Sequence, residues 1–366
     1  MNNSNIASEI KSTQGNYKVY VGDSLFNEIF TLTKKEISNG RAFLVSDEKI
    51  FSNLTTKVIK NLEKNGIKAE SLTLDIDESK KNLLTVNSVY KWLHKRGVER
   101  SDILISIGGG VVTDLVGYVA ATWLRGIKII HIPTTLAAMV DASIGGKTAV
   151  NLENGKNLIG AFHHPKLIIM DTTTLLSLPE REMNSGWAEA IKHAFLFDKD
   201  LLNKFNNFSK SILAKEESIF TEVIKRNVEI KASVVAKDEF ETGQDRIRLN
   251  FGHTIGHALE AITNYNTLLH GEAVSIGMVV ASVISSMLTI SENNLTNEIK
   301  ETLGKYNLPT KIPKNIDLND LYDICKSDKK VKNGRINWVL LKSSEESIIY
   351  DDVSDKIVIQ ALKGCQ

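Results

Sequence analysis

Residues 103–122 read ILISIGGGVVTDLVGYVAAT: a short apolar run, three glycines, then an apolar stretch of helical length. The first five residues have the length and composition of a buried strand, and residues 115–122 have the character of a helix. Glycines between the two let backbone N–H groups approach a pyrophosphate at a helix N-terminus, where the dipole favours negative charge. The spacing is not the full G-x-G-x-x-G, so a plain strand-to-helix turn satisfies it as well. Outward from this stretch the alternation repeats. Apolar runs at 19–21, 42–45, 71–74, 129–132 and 167–170 are separated by helix-period stretches such as 54–65 and 86–95. That alternation predicts βαβ units with a mostly parallel sheet, whose ligands bind beyond the carboxyl ends of the strands. Asp47 ends one run, where its carboxylate can accept hydrogen bonds from a ribose or cap a helix. The charged run 77–81, DESKK, reads as a solvated face.

After Leu178 the periodicity changes to long helical stretches at 201–215, 217–237, 254–261, 272–288 and 297–306. The chain therefore divides into an α/β domain at 1–178, with a mostly parallel sheet, and a mainly α-helical domain at 179–366. Residues 281–290 are apolar nearly all round, the pattern of a buried core helix, and strand-like runs recur near 337–341, 348 and 357.

Composition narrows the partners. With 45 Lys+Arg against 44 Asp+Glu the formal net charge is +1, which removes the electrostatic case for nucleic acid or an anionic membrane and leaves small anionic substrates. Cys325 and Cys365 lie far apart and make no disulfide framework. No run approaches the ~20 apolar residues of a membrane span and the N-terminus lacks a signal-peptide core, so a soluble cytoplasmic protein is expected.

The chemistry concentrates in a few segments. Thr134 and Thr135 offer hydroxyls after a strand, and Asp141 is followed by Gly145-Gly146-Lys147-Thr148. A Walker loop needs Gly where Asp141 stands, so an NTPase is excluded. Lys147, Lys156 and Asn157 are suited to phosphate oxygens, although each lysine alone reads equally well as a surface residue. His163 and His164 receive no role. In residues 249–260, LNFGHTIGHALE, His253 and His257 stand four apart and share one helix face. With His270 in HGEAV and Glu189 in GWAEAIK, three segments can supply nitrogen and oxygen ligands to one divalent metal. Spacing alone makes both His253 and His257 ligands. Two histidines and a carboxylate suit zinc with a position open for a substrate oxygen.

Six stretches then occur in one order: GGGVVTDLVGYVAATWLRGI (108–127), IPTTLAAMVDASIGGKTAVN (132–151), GKNLIGAFHHP (155–165), SGWAEAIKHA (185–194), LNFGHTIGHALE and LLHGEAVSIGM (268–278). Together they resemble the 3-dehydroquinate synthase family. The resemblance implies an NAD-binding N-terminal domain, a helical C-terminal domain holding Zn²⁺ or Co²⁺, a cleft between them, and a homodimer. It implies a carbon–oxygen lyase of the shikimate pathway that turns 3-deoxy-D-arabino-heptulosonate 7-phosphate into 3-dehydroquinate and phosphate. The steps are transient oxidation at C5, phosphate elimination, re-reduction, ring opening and aldol closure, with NAD used catalytically.

Carried over by residue, the resemblance makes Glu189, His253 and His270 the metal ligands and His257 a catalytic proton carrier. NAD contacts fall on Asp47, Glu78 and Lys81, on Gly109, Gly110, Val111, Val112, Thr113 and Asp114, and on Thr134 and Thr135. They continue on Lys147, Thr174, Leu175, Leu176 and Ser177, with Lys156 between cofactor and substrate. Substrate contacts are Asp141, Lys147, Asn157, Lys192, Lys231, Glu241, Arg246, Asn250 and one of Lys329 or Lys330, while Arg125 reaches the phosphate across the dimer. The chain departs from the family pattern at Asp77, where a glycine is usual, at Glu48-Lys49, and by one additional residue before Arg246. The alternatives are a related sugar phosphate cyclase, a metal-dependent polyol dehydrogenase and a non-catalytic scaffold.

Overall fold

Continuous apolar runs form strands covered on both faces. In the computed structural model, which describes residues 5–37, 40–48, 54–153, 155–327, 331–332 and 335–366, the first unit carries β1 (Ile6–Ile10), β2 (Tyr17–Gly22), β3 (Arg41–Asp47), β4 (Lys68–Leu74), β5 (Ile103–Gly108), β6 (Lys128–Pro133), β7 (Lys147–Leu152), β8 (Gly155–Phe162) and β9 (Leu167–Asp171). Seven of these make one sheet in the order β1-β2-β9-β6-β5-β3-β4, parallel throughout except for the edge pair β1–β2. Along β5 the side chains alternate. Ile103, Ile105 and Ile107 join Leu44, Ile130 and Ile169 against Ile29, Val58 and Leu62 on one face. Leu104 joins Phe43, Val45 and Ile129 on the other, against Val86 and Val89 of the helix Leu83–Lys95 and Leu115 and Val116 of the helix Gly110–Thr122. A buried polar pair sits within the sheet, where Ser106 Oγ meets His131 Nδ1 at 2.7 Å across β5 and β6.

This topology explains where a ligand would sit. From β3 the chain moves to β4 at the sheet edge, then returns to β5 on the other side of β3. The strand order reverses there, so the crevice beyond the carboxyl ends of β3 and β5 is flanked by Asp47 and Gly108. The antiparallel hairpin β7–β8 and the edge strand β1 were not expected from sequence. Their residues are only partly buried, so no continuous apolar run marks them.

The chain divides into two compact units, Met1–Leu178 with Lys231–Ala236, and Pro179–Ile230 with Lys237–Gln366. The 21-residue helix Glu217–Lys237 thus contributes to both. The second unit is built on the helices Glu180–Phe197, His253–Ile262 and His270–Met287, with the hairpin Trp338–Ser343/Glu346–Tyr350 beside them. Three expectations are corrected here. Residues 201–215 form two helices, Lys199–Asn207 and Ser209–Leu213, because Phe208 leaves helical geometry (φ −115°, ψ 21°). The buried central helix spans His270–Met287, with burial from Gly271 to Ser285; it stops short of 290, and Thr289 adopts φ 53°. Ile357 lies in the helix Asp355–Gly364 and not in a strand. By length and composition alone His270–Met287 is apolar enough to cross a membrane, but 72% of it is buried inside the protein. Cys325 and Cys365 are both buried free thiols.

Candidate active site

Three helices of the second unit converge on one point. Glu189 comes from the middle of Glu180–Phe197, His253 from the first residue of His253–Ile262, and His270 from the first residue of His270–Met287. His253 Nε2 lies 3.5 Å and His270 Nε2 3.6 Å from the same carboxylate oxygen, Glu189 Oε1. Ligands about 2.0–2.1 Å from a tetrahedral ion are separated by roughly 3.3 Å, so the set is close to the edges of a coordination shell. The other ring nitrogens are engaged: His253 Nδ1 lies 3.2 Å from the Phe251 carbonyl, and His270 Nδ1 lies 3.1 Å from Glu260 Oε2. Each Nδ1–H therefore donates outward, which leaves both Nε2 lone pairs for an ion. The residues fit a zinc or cobalt site.

Close helix packing sets this geometry. A Cβ on Gly271 would fall 1.9 Å from the Ser185 carbonyl oxygen, so only glycine lets the helix bearing His270 touch the helix bearing Glu189. Gly271 N–H also donates to Ser185 Oγ at 3.0 Å. Gly252, at φ 80°, makes the sharp entry that starts the next helix at His253 and lies against Val274 and Met278. An Arg181–Glu272 pair with two 2.7 Å contacts ties the two helix ends, and Leu269 N–H caps the same carboxylate at 2.8 Å. Burial pushes the Glu272 carboxyl up, but the guanidinium and that N–H outweigh it and hold it below its ordinary value.

Other expected residues of this unit gather nearby. Lys192, one helical turn from Glu189, pairs with Glu189 Oε2, and both side chains are buried. One carboxylate thus faces two imidazoles with one oxygen and a lysine with the other. The His257 ring lies 5.4 Å from that of His253 and 6.1 Å from that of His270. Asn250 Nδ2 donates to Glu241 Oε1 at 3.2 Å, and buried Arg246 donates through Nη1 to the Glu239 carbonyl. The loop with the additional residue is gathered by Asp238, whose carboxylate accepts from the N–H groups of Thr242, Gly243 and Arg246. Burial raises the Asp238 pKa, but these hydrogen bonds outweigh it and the carboxyl sits below its ordinary value. Lys329 and Lys330 lie outside the described residues.

In the first unit the run 77–81 is solvated at Asp77 and Ser79, as its charge suggested, but not at Lys81. Asp77 caps the turn through Ser79 N and Lys80 N, and Lys81 is 2% exposed. Lys81 Nζ reaches Asp114 Oδ2 at 2.5 Å and Asn157 Oδ1 at 2.7 Å, beside the glycine-rich turn. Burial raises the Asp114 carboxyl against the pull of Lys81. Asn151, which the sequence did not single out, joins the group through Glu78 Oε1 at 2.8 Å and Asn157 N at 2.8 Å, while Lys156 Nζ approaches Glu78 at 3.9 Å.

Gly109 and Gly110 open the helix that carries Val111, Val112 and Thr113. Thr134 N bonds the Gly108 carbonyl at 2.9 Å, and Thr135 Oγ1 accepts from Ala138 N at 3.3 Å. Asp141, on the π-helical turn Ala138–Ala142, pairs with Lys231. Lys147 is exposed at the start of β7. Thr174, Leu175, Leu176 and Ser177 form a short 3-10 turn after β9, with Leu175 buried and Leu176 62% exposed. Arg125 stands apart. The helix Gly110–Thr122 carries the chain about 20 Å away from the glycines before Arg125 appears, exposed and at φ 65°.

The comparisons with known proteins agree in kind. The family description for the 3-dehydroquinate synthase N-terminal region matches residues 71–185, and that for its C-terminal region matches 186–331. The chain is 37% identical to the 3-dehydroquinate synthase of Picosynechococcus sp. (strain ATCC 27264 / PCC 7002 / PR-6), covering 95% of this chain and 96% of that protein. It is 40% identical to the one from Symbiobacterium thermophilum, covering 95% and 97%. Among solved structures, the 2-epi-5-epi-valiolone synthase of Streptomyces hygroscopicus subsp. jinggangensis 5008, with NAD+ and Zn2+ bound, superposes with a TM-score of 0.87 at 25% identity over 95% of this chain and 96% of that one. A glycerol dehydrogenase from Schizosaccharomyces pombe shares the fold at a TM-score of 0.69 and 16% identity, over 98% and 89%. Two matched regions that together span most of the chain, and relatives near 40% identity along nearly all of it, place this protein in the 3-dehydroquinate synthase family.

Proposed function

We propose that this chain is a 3-dehydroquinate synthase, converting 3-deoxy-D-arabino-heptulosonate 7-phosphate to 3-dehydroquinate and phosphate. The observation that carries this reading is the convergence of His253 and His270 on Glu189, with Lys192 on the same carboxylate. When bound at these residues a zinc or cobalt ion supplies Lewis acidity toward a substrate hydroxyl, and NAD beside β3 and β5 supplies a reversible hydride acceptor. His257, close to both ligand histidines, carries the hydroxyl proton. Lys231 and Arg246 hold the substrate carboxylate, Lys231 exchanging its pairing with Asp141 for that group. Lys147, Asn157 and Lys192 meet the phosphate and stabilise the charge that develops as it leaves. Arg125 lies far from the glycine turn of its own chain, which supports a homodimer in which it serves the other copy. Two buried free thiols support a reducing cytoplasm.

Two other readings share the fold. A related cyclase would act on a sugar phosphate without a carboxylate and gain nothing from Lys231 and Arg246; a polyol dehydrogenase would release reduced cofactor. The test supplies the heptulosonate phosphate with zinc and substoichiometric NAD+, and follows phosphate and NADH together. Phosphate released in many turnovers without accumulated NADH is expected. Net NADH would instead make the chain a dehydrogenase, and no phosphate from this acid substrate would overturn the assignment.

A further inference from the structure

Of the two proposed histidine ligands, His270 is the one whose outward ring nitrogen meets a charged group. Its Nδ1 lies 3.1 Å from Glu260 Oε2, whereas His253 Nδ1 meets the neutral Phe251 carbonyl at 3.2 Å. Glu260 is 3% exposed. It stands three residues beyond His257 and seven beyond His253, so all three project from one side of the helix His253–Ile262. The next helix begins at His270 and brings its ring against that side.

The same groups offer two donor sets. Glu189, His253 and His270 lie within 4.8 Å of one another, and so do His257, Glu260 and His270. A neutral imidazole has one lone pair, so an ion on His270 Nε2 excludes another on Nδ1. One observation favours the first set: the Nε2 atoms of both histidines face one Glu189 oxygen, at 3.5 and 3.6 Å. Glu260 then accepts the Nδ1 proton and does not touch the ion.

Resting on the metal reading above, we propose that Glu260 is a positioning residue. Its carboxylate fixes His270 in the Nδ1–H tautomer, aims Nε2 at Glu189 and His253, and raises the basicity of that nitrogen toward the ion. The sequence carried a signal for it, because a carboxylate at position i+3 from one histidine and i+7 from another shares their helix face.

The test strips metal from the full-length protein and titrates it with zinc alone against a chromophoric chelator. Glu260→Gln keeps the size and an oxygen acceptor but removes the charge. It is expected to retain the wild-type circular dichroism while weakening zinc on the order of 10- to 100-fold, and to shift the visible bands of the cobalt-substituted protein. A double-mutant cycle separates positioning from ligation or general structure. With His270→Ala already in place, adding Glu260→Gln should weaken zinc no further. Equal zinc affinity in wild type and Glu260→Gln would overturn the role, as would a further loss in the His270→Ala background. A wild-type chain that takes up no zinc would instead overturn the metal reading, and this role with it.

Discussion

Gly271→Ala tests how the two helices make the metal site. The added methyl would lie 1.9 Å from the Ser185 carbonyl oxygen, 2.6 Å from its carbon and 2.9 Å from its Oγ. The two closest atoms are backbone, and neither can swing aside as a flexible side chain would. Ordinary contact begins near 3.4 Å, so the helix ends must part by about 1.5 Å. The 3.0 Å bond from Gly271 N–H to Ser185 Oγ opens with them, as does the 3.6 Å approach of His270 Nε2 to Glu189. Overpacking costs about 1–3 kcal/mol and the hydrogen bond about 1 more, which lowers the melting temperature of a unit this size by roughly 5–15 °C. Zinc affinity should fall on the order of 100-fold or more, since a ligand itself is displaced. Gly304→Ala is the control, because its Cβ would meet nothing within 4 Å; it should leave zinc unchanged and stability equal or up to about 1 kcal/mol higher. Thermal unfolding and zinc titration on the three proteins decide. A Gly271→Ala protein with wild-type melting and zinc affinity would refute the claim that this contact sets the site.

His257→Ala should keep one zinc per chain while turnover falls about 10²- to 10⁴-fold; stoichiometric loss of zinc would make His257 a ligand. Burial, aided by nearby His163, depresses His131 to about 3 from 6.5, so the folded ring stays neutral while the unfolded chain gains a proton as the pH drops below 6.5. Stability should therefore decline from pH 6.5 toward 3 by up to about 1.4 kcal/mol per pH unit, and His131→Asn should flatten that component in urea unfolding. An identical slope in the variant would remove His131 as its source. Arg125→Ala and Lys147→Ala, each inactive alone, should recover about a quarter of wild-type activity when their subunits are mixed, because one site of each hybrid dimer is intact. No recovery in subunits shown to exchange would place Arg125 in its own chain's site.

The parallel sheet was legible because strands buried on both faces must be apolar nearly throughout, as 103–107 and 129–132 are apart from the mutually bonded Ser106 and His131. The hairpin Lys147–Leu152/Gly155–Phe162 was not, because its residues are mixed in burial and its lysines and asparagines interrupt the apolar pattern. Residues 77–81 show the limit of local charge. Nothing within five residues tells that Lys81 is buried, since Asp114 and Asn157 arrive from 33 and 76 positions away. In the same way, spacing cannot separate His253 from His257, which share a helix face. The distinction depends on where a second helix puts Glu189, a fact of tertiary packing. Ile357 was misplaced because it opens three consecutive β-branched residues, Ile357, Val358 and Ile359, which read as a strand, whereas the buried positions Val358, Ala361 and Leu362 follow the helical period.

The helix Glu217–Lys237 has a consequence for engineering by recombination. Its residues 231–236 pack with the first unit, although more than fifty residues separate them from the end of that unit's main segment at Leu178. A crossover at 178/179 with a homologous gene would therefore join Asp141 to a foreign residue at position 231 and replace the buried Ala232, Val234 and Val235 at once. Chimeras should tolerate exchange only when two crossovers carry the 231–236 segment along with its own sheet.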